Sequence, residues 1–222
     1  MGRAGAAPRR YGAHEMSVHA NYGSSAGELA ACLRAVGVAD RSDLIQLELA
    51  GPARTVDHVV ESLAGSVPAV GGAVCHGNVW WCSIEPGRFV AIAEPTAGGR
   101  LRDQIGRLAT RHPGLRVCDL GERMAAIAIV GHRTPAVLAA LGVYGEAGDP
   151  RAVSPVTRSP LAGTEALWLL RSDHHALALI DHADFPAAWR AIHCAGERFG
   201  ICAVGDEAFA HYALLARSHP EL

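Results

Sequence analysis

Residues 39–63 read ADRSDLIQLELAGPARTVDHVVESL, and residues 118–141 read CDLGERMAAIAIVGHRTPAVLAAL. Both stretches run through an Asp, two to four polar residues, an apolar strand, a Gly and an apolar-faced helix. Asp40 and Asp119 are 79 residues apart, and Gly51 and Gly131 are 80 apart. A near-constant offset with one residue gained points to an internal duplication. In the first stretch Ile45, Leu47 and Leu49 alternate with Gln46 and Glu48, the period-two pattern of a half-buried strand. Pro52 after Gly51 suits the first positions of a helix, whose apolar face holds Val56, Val59, Val60 and Leu63.

Working outward, Ser24 or Ser25 can cap a helix bearing Leu29, Ala30, Leu33 and Val36 at helical spacing, with Gly37 ending it and a short strand at 38–40. After the first helix-forming stretch comes a Gly-rich connection at 65–77, then a hairpin of VWWCSI, the turn EPGR and FVAIAE, then a helix over Arg100–Leu108. The second half repeats the order: a strand near 115–119, AAIAIV, a helix through Val137, Leu138 and Leu141, a longer loop at 145–163, the hairpin ALWLL-RSDH-HALALI and a helix over Phe185–Ala195. Trp81 and Trp168 match at an offset of 87, as do Phe89 and Ala176, so the extra length lies in that loop. A last short strand and helix close the chain. The expected fold class is α+β: a tail over 1–23, expected to be disordered, then two strand-helix-hairpin-helix units at 24–112 and 113–222 with mainly antiparallel sheets and helices on the outer faces.

At 222 residues, half of them hydrophobic and 19% charged, the chain can bury a substantial core. Its 20 basic and 22 acidic residues leave a net charge of −2, which disfavours nucleic-acid binding. Every basic residue is Arg and none is Lys. This excludes lysine Schiff-base chemistry and the ordinary phosphate-loop lysine. Six cysteines form no CxxC pair and read as reduced, mostly buried thiols of a cytoplasmic protein. No segment has the run of about 18 apolar residues that a membrane span needs.

None of GxSxG, HExxH, GxxxxGK[ST] or a strand-borne GxGxxG occurs, so the candidate chemistry rests on weaker features. Asp40 and Asp119 are the candidate catalytic pair, two carboxylates that a pseudo-two-fold could bring together for acid–base work. The other reading is that each Asp caps its own turn. Trp81 and Trp168 are candidate cofactor-binding residues that could stack on a flat ligand, with Ser42 beside Asp40 as a third. By alternation only one of Trp80 and Trp81 can face inward. His174 and His175, with Asp173, Asp181, His182 and Asp184 nearby, carry metal-ligand chemistry, but adjacent histidines at a hairpin turn point to opposite sides. No metal site is expected.

The stretch AVGVADRSDLIQLELAGPA at 35–53 resembles the glycine-cleavage T-protein (aminomethyltransferase) family, in which a helix ends in a short strand followed by a D-[LV]-S-[HT]-[MR] turn, a strand, a Gly-Pro and a helix. Asp40, Ser42, Gly51 and Pro52 match, while Asp43 and Leu44 stand where the family has His and Met. AGERFGICAVGDEAFAHYALL at 195–215 is similar to a later segment of that family through Gly205 and Ala208. The family's catalytic Asp would fall within Leu63-Ala64-Gly65-Ser66, which has no acid. Phe209 and Ala210 replace an Arg and an Asp, and Ala213 and Leu215 replace an Arg and a Glu. In length and layout the chain resembles more closely the gamma subunit of heterotetrameric sarcosine oxidase, through GNVWWCSIEPGRFVAIA at 77–93 and through Val117 to Gly131, with Gly121 in place of Ser. The resemblance implies an aminomethyltransferase-like folate-binding fold in a one-carbon enzyme system and tetrahydrofolate as the cofactor. It implies a larger enzyme subunit as partner, a homo-oligomer being the other possibility. The chain would then be a non-catalytic or partly catalytic subunit, the alternative being a stand-alone tetrahydrofolate-dependent transferase with a repurposed pocket.

Overall fold

The structure is a computed structural model that describes residues 21–144, 154–172 and 174–218, apart from the side chain of residue 217. Most of the expected tail, and Asp173 of the hairpin turn, lie outside the described residues. The elements in order are α1 (Ser25–Arg34), β1 (Val36–Asp40), β2 (Ile45–Ala50), α2 (Ala53–Ala64), β3 (Gly72–His76), β4 (Val79–Glu85), β5 (Arg88–Ala93), α3 (Pro95–Arg111), β6 (Arg116–Asp119), β7 (Met124–Val130), α4 (Thr134–Ala140), β8 (Ser154–Leu161), β9 (Thr164–Ser172), β10 (His175–Asp181), α5 (Phe185–Gly196), β11 (Ile201–Ala203) and α6 (Asp206–Ser218).

The helix starts follow local chemistry. Ser24 caps α1 by accepting a hydrogen bond from the Gly27 N–H at 3.3 Å. Pro95 and Pro135 sit in the first turns of α3 and α4, where a missing N–H costs nothing. Gly37 does not end α1 as expected. The helix stops at Ala35, and Gly37 lies within β1, where a Cβ would come 2.6 Å from Cys32 Sγ.

All eleven strands join one sheet in the order β11-β1-β7-β10-β9-β8-β3-β4-β5-β2-β6, antiparallel except for β1 beside β11. The strands cross between the halves of the chain. β1 leaves the first half to pair with β7, with Asp40 opposite Ile127, while β6 pairs with β2, with Asp119 opposite Leu47. The two strand sets also meet at β3 and β8, through Gly72–Pro155 and Ala73–Ser154. β3 falls inside the expected Gly-rich connection and β8 inside the expected loop, so two strands read as linkers are the ones that close the sheet. Neither shows clean alternation, because β3 carries Gly72 and β8 carries Pro155 and Pro160, residues that weaken a strand signal.

The central strands of the sheet are buried on both faces, which explains near-continuous apolar runs such as AAIAIV. Ala125, Ile127 and Ile129 of β7 pack with Val137 and Leu138 of α4 and Ala188 and Ile192 of α5, while Ala126, Ala128 and Val130 point to the opposite face. In the other strand set Leu47, Leu49, Phe89 and Ala91 pack under α2 and α3. The remaining face is shared: Cys82, Val90 and Ile92 from one set join Leu177, Leu179 and Ala128 from the other, with Phe209 and Tyr212 of α6 and Cys32 of α1 laid over them. The sheet therefore curls, and α6 lies in the concavity.

The paired glycines have one physical reason. A Cβ on Gly51 would stand 2.4 Å from the Gly114 carbonyl oxygen, and one on Gly131 would stand 2.4 Å from that of Cys32. In each case the chain leading into the crossing strand passes directly over the end of its neighbour. Three of the six cysteines, Cys75, Cys118 and Cys194, are exposed, contrary to the expectation of mostly buried thiols. Cys118 lies on the edge strand β6, where no helix covers it.

Candidate functional site

Asp40 and Asp119 occupy equivalent turns and perform equivalent local work. Asp40 Oδ1 accepts from the Ser42 N–H at 2.9 Å, and Asp119 Oδ1 accepts from the Gly121 N–H at 3.0 Å, the Asx-turn geometry of Asp. The structure does not bring them together as a facing pair. Asp40 shares a face of β1 with Val36 and Val38, in the core under α4 and α5, whereas Asp119 lies on the face of β6 that looks towards α3, where Arg102 donates to its Oδ2 at 2.7 and 3.0 Å. Both lie on the outer face of the curled sheet, Asp40 in the strand set covered by α4 and α5 and Asp119 in the set covered by α2 and α3. Burial raises the Asp40 carboxyl above its ordinary value, against the lowering effect of its hydrogen bonds with Ser42. The Ser42 hydroxyl accepts from the Ala126 N–H at 3.3 Å, so Ser42 ties its turn to β7.

Trp81 and Trp168 are core residues, 1% and 0% exposed, and neither offers a ring face to a ligand. Each lies on the outer face of its strand, beneath helices, with an indole N–H that finds no acceptor among the described residues. The alternation rule then assigns the ligand-facing position to Trp80, which is half-buried on the concave face.

Trp80 belongs to a chain of contacts along that face. The Arg171 guanidinium stacks 4.9 Å from the Trp80 ring, and Arg171 Nη1 lies 3.3 Å from His175 Nε2. His175 meets the Phe209 ring edge-on at 5.5 Å, and the Arg41 guanidinium stacks 4.6 Å from the same ring. Burial, then the charges of Arg171 and Arg41, hold the His175 pKa well below the usual histidine value, so the ring is neutral and its Nε2 can accept from Arg171. His174, its neighbour, projects the other way against His132 at 5.5 Å. Among the described residues no group of three or more His, Cys, Asp or Glu side chains could hold a metal ion.

Arg41 anchors the far end. It is 5% exposed, donates to Asp43 at 2.9 and 3.3 Å and to Glu94 at 2.5 Å, and these two acids hold its pKa above the ordinary value despite burial. Composition and motif spacing do not single out Arg41 or Arg171, while Trp80 is legible only as one of a tryptophan pair and His175 only as one of a histidine pair at a turn. The one signal for Arg41 is Asp43 two residues on, an acid of the kind a buried guanidinium requires. Beyond Trp80 the concave face of the other strand set is open, and a groove of about 550 Å³ runs between β5 and β6. The concave face thus offers an indole with a stacked guanidinium and a neutral imidazole, a set suited to holding a planar anion. Among the described residues it shows no nucleophile paired with a base.

No protein-family model matches the sequence, and no curated protein matches it. Solved structures share its fold. A chain of the heterotetrameric sarcosine oxidase from Corynebacterium sp. U-96, solved in complex with pyrrole 2-carboxylate, matches at 22% identity and a TM-score of 0.62 over 80% of this chain and 93% of that one. Aminomethyltransferase T of the glycine cleavage system from Bartonella henselae matches at 16% identity and a TM-score of 0.63 over 86% of this chain, but only 54% of that one. The chain spans about half the length of the aminomethyltransferase. The fold is the T-protein-like fold that the sequence motifs resemble. No helix of the described residues is long and apolar enough to cross a membrane.

Proposed function

We propose that this chain is an assembly or binding subunit of a one-carbon enzyme system of the sarcosine or glycine type, comparable to a sarcosine oxidase gamma subunit and without a complete active site of its own. The observation that carries this reading is the use made of the acids. Asp40 and Asp119 are each engaged in capping their own turn, and no acid stands at 63–66. Likeness to a heterotetramer chain over nearly its whole length supports it. We further read the matching registers of β1–β7 and β6–β2 as the product of a duplication of 24–112 into 113–222. Purification of the chain from its native source tests the reading. Elution with larger oxidase-type chains is expected, and a monomer fully active alone would refute it.

A second reading, a tetrahydrofolate-binding enzyme acting alone, is favoured by the half-buried Trp80–Arg171 stack. Titration of the purified chain with tetrahydrofolate, followed by Trp fluorescence, separates the two. Saturable quenching that is lost in Trp80→Phe supports folate binding, and an unchanged signal removes it.

A further inference from the structure

The helices over the two strand sets differ in what they show to water. α2 turns Arg54, His58 and Glu61 outward, and α3 turns out Arg100, Arg102 and Asp103, the polar outer stripe expected of helices that face solvent. α4 and α5 cover the other set without such a stripe. Thr134–Ala140 contains no charged residue, and its exposed positions are Pro135, Ala139 and Ala140. Phe185–Gly196 carries Arg190 as its only Arg, Lys, Asp or Glu, on an exposed line with Pro186 and Cys194. A helix that is apolar on both sides is one that is covered.

Beside that line Phe185, Trp189 and His193 form a half-buried ladder, ring to ring at 5.6 and 5.3 Å, and Tyr144 just past α4 is 77% exposed. Tryptophan, tyrosine and arginine are the side chains that most often anchor protein interfaces. The line runs on into the 3₁₀ turn Glu197–Phe199 that follows α5. Arg190, Cys194 and Glu197 stand at i, i+4 and i+7, one above the other on the helix surface, and all three are exposed. Neither the Arg190 nor the Glu197 side chain has an ion-pair partner among the described residues. Arg198, next to Glu197, is turned away onto the Phe199 ring at 4.6 Å.

We propose that the α4–α5 face is a docking surface for a second copy of this chain, the two α5 helices lying antiparallel about a two-fold axis at Cys194. The order of charges along the line selects this occupant. An antiparallel two-fold brings Arg190 of each copy against the partner's Glu197, so the patch complements itself as an isologous interface must, whereas parallel helices would set Arg190 against the partner's Arg190. The apolar positions flanking the line lose water in the same contact and supply the association energy, while the two ion pairs fix the register. The proposal does not rest on the assembly reading, because it concerns two copies of the purified chain. A chain that stays monomeric alone yet elutes with larger subunits would overturn it and leave that reading standing.

The test is sedimentation of the purified full chain over a concentration series. A dimer is expected. Arg190→Glu and Glu197→Arg should each weaken it by about tenfold or more, because the axis turns one reversed charge into two repulsive contacts, and the exchange Arg190→Glu/Glu197→Arg should restore it. Both positions are exposed, and urea midpoints equal to that of the parent show that the variants fold. Oxidation of the dimer with copper–phenanthroline is expected to join the copies through Cys194, as read by non-reducing peptide mapping, and Cys194→Ser to dimerise without joining. A chain monomeric at every concentration, a dimer indifferent to Arg190→Glu, an exchange variant that stays monomeric, or a cross-link through Cys75 or Cys118 alone would each overturn the proposal.

Discussion

Replacing Arg41 by Met tests how much the buried ion pair in the turn between β1 and β2 contributes to stability. Arg41 and Asp43 are 6% and 8% exposed at their side chains, so removing the guanidinium strands a carboxylate out of water. Breaking a buried pair from one side costs about 3–5 kcal/mol. Glu94 is 46% exposed, so its share is that of a surface pair, at most about 1 kcal/mol, and the lost stacking on Phe209 adds about 1 kcal/mol. A total of about 4–7 kcal/mol is a large fraction of the roughly 5–15 kcal/mol that holds a domain folded. Urea unfolding should show a much lower midpoint with an unchanged slope. The double variant Arg41→Met/Asp43→Leu removes both charges and should recover most of the loss, because an apolar pair replaces the stranded acid. A single variant that loses under about 1 kcal/mol, or a double variant as unstable as the single, would refute the reasoning.

Three further outcomes are expected. Trp81→Ala should cost about 3–5 kcal/mol as a core truncation, whereas Trp81→Phe removes an N–H without a partner and Trp80→Ala removes a half-buried ring, so both should cost far less in thermal unfolding. Asp40→Asn keeps an acceptor for the Ser42 N–H while removing a charge whose pKa is raised by burial. It should be as stable as the parent or more so at neutral pH, with Asp40→Ala lower by about 1 kcal/mol, and a marked loss in Asp40→Asn would contradict the turn-capping account. His175 has a lowered folded pKa, so below about pH 6.5 the unfolded chain takes up a proton that the folded chain refuses, and stability falls by up to about 1.4 kcal/mol per pH unit. Urea midpoints measured between pH 8 and 5 should show this slope, reduced in His175→Gln.

The sequence by itself determined a good deal. The period-two runs at 45–49 and 124–130, the Gly at 51 and 131, and the hairpins around Gly87 and His174 were all legible, because each is set by local alternation, backbone conformation or turn chemistry. Asp40 and Asp119 were legible as turn residues at the ends of strands, with the capping and the acid–base readings both open. Only the tertiary structure decided the rest. β3 and β8 are strands because each has a partner across the seam, although Gly72, Pro155 and Pro160 hide them locally. Alternation says that Trp80 and Trp81 point apart but not which face of the sheet is covered, and that depends on where α2 and α3 lie. Asp40 and Asp119 are equivalent in the chain, yet the crossing of β1 and β6 between strand sets gives them different surroundings, Asp40 in the set under α4 and α5 and Asp119 beside Arg102 of α3. The concave face, with Arg41, Trp80 and the Arg171–His175 hairpin drawn from three distant segments, exists only once the sheet has curled.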